Sequence, residues 1–223
     1  MNIPRLQYIT HPNEDFSDLS WMDRLSKNGV SWVQLRIKEE DLERFHPNLH
    51  YKSTFIEVAE LMQTKAESLG MTLIINDHPE VCRFANASGV HLGLNDKVEE
   101  SETEEFKVFG CTANSIEDVL SYGYKNINYF GVGPFKKTST KVNTKQVLGS
   151  EGYTSFMLKM KENKIETPVF AIGGIELDDI PAIMKTGVYG IAVSGLIHSA
   201  GHDGSLIKKC VQLIEENSYE FSK

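Results

Sequence analysis

Two aspartates follow short apolar runs of this sequence, where they could bind a metal ion. The run "TLIIND" ends in Asn76 and Asp77, and "HLGLND" begins with His91 and ends in Asp96. Carboxylate oxygens suit a hard cation such as Mg²⁺, which also binds phosphate oxygens. We therefore expect Asp77 and Asp96 to hold magnesium. His91 could instead be a core histidine.

The segment "QLRIK" supplies an amide and two cations. Gln34, Arg36 and Lys38 alternate with apolar residues, so in an extended strand all three point to the same side. Arginine and lysine suit phosphate oxygens. Together with the two aspartates, these cations indicate a site for a diphosphate bridged by magnesium. Alternatively, the two cations could pair with the aspartates as structural salt bridges.

A loop over residues 133–145, "GPFKKTSTKVNTK", alternates lysines with hydroxyl residues. Such a loop could grip phosphate or could be a solvated surface segment. Other apolar runs end in Thr112, in "IGG" (Gly173 and Gly174) and in "SG" (Ser194 and Gly195). Glycines at these places mark a tight turn or let backbone N–H groups approach a phosphate.

The elements that must position these residues follow a regular alternation of strand and helix. Nearly unbroken apolar strands separated by helices favour a parallel sheet. Eight such units predict an α/β fold, a single (β/α)₈ TIM barrel over residues 1–223, with reactive groups at the carboxyl ends of its strands. An open doubly wound sheet is the alternative. The eight runs are "LQYIT", "SWVQLR", "TLIIND", "GVHLG", "KVFGCT", "INYFGVG", "PVFAIGG" and "GIAVSG".

Three helices carry clear boundary signals. "TFIEVAELMQTKAESLG" should end at Gly70. "SIEDVLSYG" should start at Ser115 as N-cap and stop at Gly123, and "ELDDIPAIMKTG" has an acidic first turn. The aromatic residues Tyr129, Phe130 and Phe135 are expected to serve packing.

Composition excludes several classes of protein. The net charge of −8 over 223 residues argues against a nucleic-acid partner, and no apolar stretch approaches the roughly 20 residues that span a membrane. An odd set of three cysteines and the lack of a secretory signal predict a cytoplasmic protein. Neither a Ser-His-Asp order nor a nucleotide-binding glycine motif is present. The expected partners are small-molecule substrates, and a homo-oligomer is compatible with the sequence.

Taken in order, these motifs resemble the thiamine-phosphate synthase family from about Leu6 to Ile197. The family pattern is glutamine-x-arginine-x-lysine, Asn-Asp, "HxGxxD", a Gly-Pro loop ending in Thr-x-Thr-Lys, and "IGG". The resemblance implies a (β/α)₈ barrel and a magnesium-dependent transferase. It would couple an aminopyrimidine diphosphate to a thiazole phosphate through a pyrimidine-methyl cation, giving thiamine phosphate and pyrophosphate.

The resemblance also implies roles for individual residues. Asp77 and Asp96 would bind Mg²⁺, and the catalytic cations would be Arg36, Lys38 and Lys141. The substrate-binding set would comprise Gln34, Arg36, Lys38, Asn76, His91, Thr112, Thr138, Thr140, Lys141, Gly174, Ser194 and Gly195.

Some positions depart from the family pattern. Thr112 and Asn114 stand where the family usually has serine and histidine, Lys137 replaces a frequent proline, and Ser194-Gly195 replaces "SA". One alternative is an isomerase like the related thiazole tautomerases, which work through a histidine at the position of Asn114. Another is a non-catalytic barrel that binds thiamine precursors as a sensor.

Overall fold

Eight parallel strands close into a barrel in the order in which they occur along the chain. The structure, a computed structural model, describes residues 3–45, 48, 50–96, 98–123, 126–137 and 147–218. The first strand pairs with the last and so completes the ring. The strands are β1 (Leu6–Ile9), β2 (Trp32–Leu35), β3 (Thr72–Asn76), β4 (Gly89–Leu92), β5 (Val108–Ala113), β6 (Tyr129–Val132), β7 (Val169–Ile172) and β8 (Gly190–Val193).

Helices cover the outside of the barrel between successive strands, so the predicted (β/α)₈ architecture is confirmed. Among the described residues no helix combines the length and the apolar character needed to cross a membrane. The described helices are α1 (Ser20–Lys27), α2 (Glu39–Phe45), α3 (Tyr51–Leu69), α4 (Pro79–Ala85), α5 (Glu100–Thr103), α6 (Ile116–Ser121), α7 (Gly149–Glu162), α8 (Ile180–Met184), α9 (Gly195–His198) and α10 (Gly204–Asn217).

Two of the predicted helix boundaries are confirmed, and the third lies one residue earlier than predicted. Gly70 ends α3 in the left-handed region with φ 64°, and the Ser115 side chain caps α6 by accepting a hydrogen bond from the Asp118 N–H. However, α6 ends before Gly123. Tyr122 is already extended, with ψ 123°. Its hydroxyl donates to the Thr112 carbonyl at 2.7 Å.

The barrel interior is filled by aromatic side chains near the amino ends of the strands. Trp32, Tyr129 and Phe170 meet edge to face, with ring centroids 4.9–5.5 Å apart, and Ile74 and Val108 complete this cluster. Edge-to-face contact is a preferred arrangement of aromatic rings. A larger apolar cluster joins the outward faces of the strands to the helices. The polar strand ends therefore stand above a closed aromatic floor, the cluster just described.

The three cysteines predicted to be reduced, Cys82, Cys111 and Cys210, are buried free thiols. Burial raises their pKa values to about 12, 12 and 11 respectively. Because the thiolate is the reactive form of cysteine, these thiols serve packing rather than chemistry at neutral pH.

Packing of the aromatic floor depends on Gly110. A Cβ built on Gly110 would lie 2.1 Å from Cε1 of Tyr129, and Tyr129 is held between Trp32 and Phe170. We expect Gly110→Ala to lower the free energy of unfolding by about 1–3 kcal/mol, as overpacked cores do. Urea denaturation measures this change.

The matched control is Gly123→Ala, since a Cβ on Gly123 meets nothing within 4 Å. Its free energy of unfolding should stay within about 0.5 kcal/mol of the wild-type value. Equal destabilisation by the two substitutions would show that the floor is not tightly packed.

Candidate active site

The carboxyl ends of the strands surround a cavity of about 570 Å³. Cavities of this size hold small organic ligands. Its lining includes the inward-facing strand ends, the backbone after β7 and β8, and the segment after β1. Eight residues that the sequence predicts to bind substrate line it: Gln34, Arg36, Asn76, His91, Thr112, Gly174, Ser194 and Gly195.

A chain of buried hydrogen bonds crosses the base of the cavity. Gln34 Nε2 donates to Gln7 Oε1 at 3.2 Å, and Gln7 Nε2 donates to the Tyr129 hydroxyl at 3.5 Å. The same hydroxyl lies 2.9 Å from His91 Nδ1. His91 Nε2 lies 2.9 Å from Thr112 Oγ1. Burial raises the pKa of Tyr129, so its hydroxyl keeps its proton.

The direction of these hydrogen bonds indicates the protonation of His91. Because Gln7 donates to the Tyr129 oxygen, the Tyr129 hydroxyl is free to donate to His91 Nδ1. His91 Nε2 then carries the proton and donates to Thr112. Both ring nitrogens are engaged, so His91 is built to orient its neighbours. Tyr129, predicted to serve packing alone, also organises the cavity base.

Arg36 is positioned through its backbone by a residue that sequence reasoning missed. The Thr10 hydroxyl accepts from the Arg36 N–H at 2.9 Å and donates to the Arg36 carbonyl at 3.2 Å. The Arg36 guanidinium lies 3.5 Å from the Asp41 carboxylate at the start of α2. Among the described residues it forms no ion pair with Asp77 or Asp96. The signal for Thr10 was available, because it is the polar residue that ends the run "LQYIT".

Lys38, Asp77 and Asp96 come together beside the cavity. The Lys38 ammonium pairs with Asp77 Oδ2, and the Asp77 N–H donates to the His91 carbonyl at 2.8 Å. Asp96 Oδ2 accepts from the Gly93 N–H at 2.8 Å. None of the three lines the 570 Å³ cavity itself, although they follow lining residues in the chain. The predicted metal pair is thus at the cavity rim, with one of the predicted salt bridges formed.

The two carboxyl groups interact strongly with each other. Burial pushes the pKa of Asp77 up, but the hydrogen bond and charge of Lys38 outweigh it, so that the pKa lies below its usual value. Burial, followed by the hydrogen bond and the charge of Asp77, raises the pKa of Asp96. Two carboxyl groups this close favour sharing a proton or a cation. Their oxygen atoms are the donors that Mg²⁺ prefers, so this pair fits that ion.

The loop after β7 approaches the loop after β6 very closely at Gly174. Gly174 has φ 68°, and a Cβ there would lie 2.9 Å from the Lys136 Cβ and 3.0 Å from its carbonyl oxygen. The Lys136 ammonium lies 3.1 Å from Glu176 and 2.8 Å from Asp179. The Lys136 ammonium is therefore paired, and its ion pairs join the two loops.

The cavity wall after β8 is more open. Ser194 and Gly195 line the cavity at the start of α9, and a Cβ built on Gly195 would meet nothing within 4 Å. A close backbone approach is thus present at Gly174 and absent at Gly195. Asn114 also lines the cavity, and its N–H donates to Asp118 Oδ2 at 2.8 Å.

Three predicted residues, Thr138, Thr140 and Lys141, lie outside the described part of the chain. The described residues on either side of that segment, Lys137 and Val147, both line the cavity.

The contact between Tyr129 and His91 can be tested by a double-mutant cycle. Tyr129→Phe should lower the free energy of unfolding by about 1–3 kcal/mol, because it leaves the buried His91 Nδ1 without its partner. Combined with His91→Leu, the two effects should be coupled by about 0.5–3 kcal/mol. Urea unfolding of the wild type and the three variants gives the coupling energy. Additive effects would mean that the hydrogen bond contributes nothing.

Comparison with known proteins agrees with the motifs. The family model described as thiamine monophosphate synthase matches residues 6–197. The thiamine-phosphate synthase of Flavobacterium psychrophilum is 40% identical over 206 residues, covering 91% of this chain and 95% of that protein. The synthase of Bacteroides fragilis strain YCH46 is 41% identical over 199 residues, covering 87% of this chain and 92% of that protein.

Solved structures agree on the fold. The thiamine phosphate pyrophosphorylase from Pyrococcus furiosus superposes with a TM-score of 0.76 at 23% identity, covering 95% of this chain and 96% of that one. The family predicted from the glutamine-x-arginine-x-lysine, Asn-Asp and "HxGxxD" motifs is confirmed. With a family model that spans most of its length and relatives at about 40% identity, the chain belongs to the thiamine monophosphate synthase family.

Proposed function

We propose that this protein joins an aminopyrimidine-methyl diphosphate to a thiazole phosphate and releases pyrophosphate, forming thiamine phosphate. The observation that carries the proposal is the grouping of Lys38, Asp77 and Asp96 at the rim of the 570 Å³ cavity. A metal-binding carboxyl pair, a cation and a cavity of ligand size are the parts that a reaction with a diphosphate leaving group requires.

The diphosphate would lie at this rim. Asp77 and Asp96 would hold Mg²⁺, which when bound supplies positive charge to the diphosphate oxygens. The Lys38 ammonium is already in place beside Asp77, and Arg36 is fixed by Thr10 through its backbone. Together these groups would neutralise the charge that grows as the diphosphate departs.

The pyrimidine would lie deeper, against Gln34 and Asn76, whose amides can recognise its ring nitrogens and amino group. The bond between the methylene carbon and the diphosphate oxygen breaks, and pyrophosphate takes the electron pair. The thiazole nitrogen then donates its lone pair to the pyrimidine-methyl cation and forms the new C–N bond. No proton has to be removed, which agrees with a His91 whose two nitrogens are already engaged.

The thiazole phosphate would lie across the cavity, at the backbone after β7 and β8. Gly174, Ser194 and Gly195 line this side, and main-chain N–H groups at these two barrel loops commonly bind phosphate. Thr138 and Thr140 would contact the thiazole from the loop after β6, and Lys141 would reach the diphosphate.

Two alternative functions predict different products. An isomerase would act on the thiazole phosphate alone, but the position at which the related tautomerases use a histidine holds Asn114, which lines the cavity. A sensor would bind both ligands and release no pyrophosphate. We favour the transferase over the isomerase because the carboxyl pair has a role only with a diphosphate ligand, and the release of pyrophosphate separates the transferase from the sensor.

We further propose that residues 1–223 act as one domain, in the cytoplasm, on small-molecule substrates. The three buried free thiols support a reducing compartment. A homo-oligomer is compatible with this function.

The decisive experiment is a turnover assay with Mg²⁺, the pyrimidine diphosphate and the thiazole phosphate. Wild-type protein should release pyrophosphate and thiamine phosphate in equal amounts. Asp77→Asn and Asp96→Asn each remove a metal ligand at nearly constant volume, so turnover should fall by a factor on the order of 10² or more and recover partly with added Mg²⁺. Binding of both substrates without product would support the sensor, and wild-type rates in both variants would mean that the pair is structural.

Loop lysines should differ in their effect on kcat. Lys141 would contact the departing diphosphate, so Lys141→Ala should lower kcat by a factor on the order of 10². Lys136 is the matched control, since its ammonium already pairs with Glu176 and Asp179, and Lys136→Ala should keep a kcat near that of the wild type. Equal kcat values for the two variants would remove Lys141 from the reaction.

A further inference from the structure

A second group of polar side chains lies at another part of the barrel mouth, separated from the aspartates by β2. Asp77 and Asp96 follow β3 and β4, whereas Glu14 follows β1, and His198 and His202 lie at the end of α9 and just after it. Glu14 and His202 are only 2% and 5% exposed. Nothing in the proposed transferase reaction uses this group.

The spacing of these three side chains matches metal coordination. His198 Nδ1 lies 3.3 Å from Glu14 Oε2, and His202 Nε2 lies 3.4 Å from Glu14 Oε1. All three residues offer ligand atoms within 4.8 Å of one another. Tetrahedral zinc with bonds of about 2.0–2.1 Å separates its ligand atoms by roughly 3.3 Å, which is the distance of each imidazole nitrogen from one of the two Glu14 oxygens.

We propose that Glu14, His198 and His202 form a binding site for one Zn²⁺ ion. Two imidazoles and a carboxylate are a ligand set typical of zinc. Mg²⁺ prefers oxygen ligands, so two imidazoles argue against Mg²⁺ at this site. This site is therefore chemically distinct from the aspartate pair.

Charge balance supports a bound cation. A buried carboxylate needs a nearby positive charge, because leaving it unpaired in the protein interior is costly. Within the described residues the ion pairs of Glu14 involve only His198 and His202, and no lysine or arginine. A divalent metal ion would supply the charge and would leave both imidazoles neutral, as metal ligation requires.

The surroundings orient the ligands. The Tyr8 hydroxyl donates to Glu14 Oε2 and lies 3.1 Å from His202 Nε2. Trp21 stacks on the His202 ring at 5.4 Å with an interplanar angle of 22°. Tyr8 and Trp21 are almost fully buried. The hydrogen bond from Tyr8 holds the Glu14 carboxylate in place, as partners of metal-ligating carboxylates usually do.

The site would hold one wall of the substrate cavity. It joins the segment after β1 to the segment after α9, and His11 stacks on His198 with ring centroids 4.2 Å apart. His11 and Ser199 line the cavity. Zinc bound here would therefore stabilise the wall and take no part in the chemistry.

Metal analysis of tag-free protein tests the proposal without any activity measurement. Chelator-treated wild-type protein should take up one Zn²⁺ per chain, measured by mass spectrometry of the metal and by titration calorimetry. Zinc should also raise the Tm, because a ligand bound only to the folded state stabilises it. Glu14→Gln and His198→Gln should each weaken zinc binding by about 100-fold or more.

Two controls make the result specific. His78→Gln removes a histidine bonded to Tyr51 and Glu80 elsewhere on the molecule, and Asp77→Asn alters the other metal pair; both variants should bind zinc as the wild type does. If a cluster variant fails to fold, Co²⁺-loaded wild-type protein should show the intense visible bands of four-coordinate cobalt, lost on adding zinc. Zinc uptake well below one ion per chain, equal affinity in the cluster variants, or the spectrum of hydrated Co²⁺ would each overturn the proposal.

Discussion

The burial of Tyr129 at the centre of the barrel is the constraint on which the rest of the site depends. Its ring packs against Trp32 and Phe170. Because the barrel interior is closely packed, this contact fixes the height of the Tyr129 ring along the barrel axis. Its hydroxyl projects toward the cavity and sets the position of His91. A tight apolar core thereby provides reference points for polar groups above it, and a hydrogen-bond network that would be loose in water becomes rigid.

The charged rim obeys a different rule. Asp77 and Asp96 lie close enough that one lowers the acidity of the other, and Lys38 compensates only part of their charge. Holding two like charges close together lowers the stability of the folded protein. A bound cation would relieve the repulsion between them. The aromatic floor supports stability, whereas the rim is proposed to bind ligands, and the barrel separates the two along its axis.

Most of the fold could be predicted from the sequence because the periods of strands and helices are clear. Gly70 and Ser115 also mark helix ends, Gly70 as a left-handed C-cap and Ser115 through its side-chain cap. The residues that the sequence missed act through distant partners. Thr10 matters because β1 lies beside β2, and Lys136 is paired because the loop after β6 meets the residues after β7. Local sequence cannot reveal such contacts, since only the closed barrel brings those strands together.

The aromatic floor also has a consequence for the order of events in a catalytic cycle. Since Trp32, Tyr129 and Phe170 fill the barrel below the cavity, ligands exchange through its carboxyl end. In the proposed reaction, a substrate that rests on Gln34 at the base would have to enter before one that covers it, and a ligand left at the base would leave last. The architecture thus imposes a sequence on arrival and departure, so steady-state kinetics should show an ordered mechanism whose inhibition patterns identify the inner ligand.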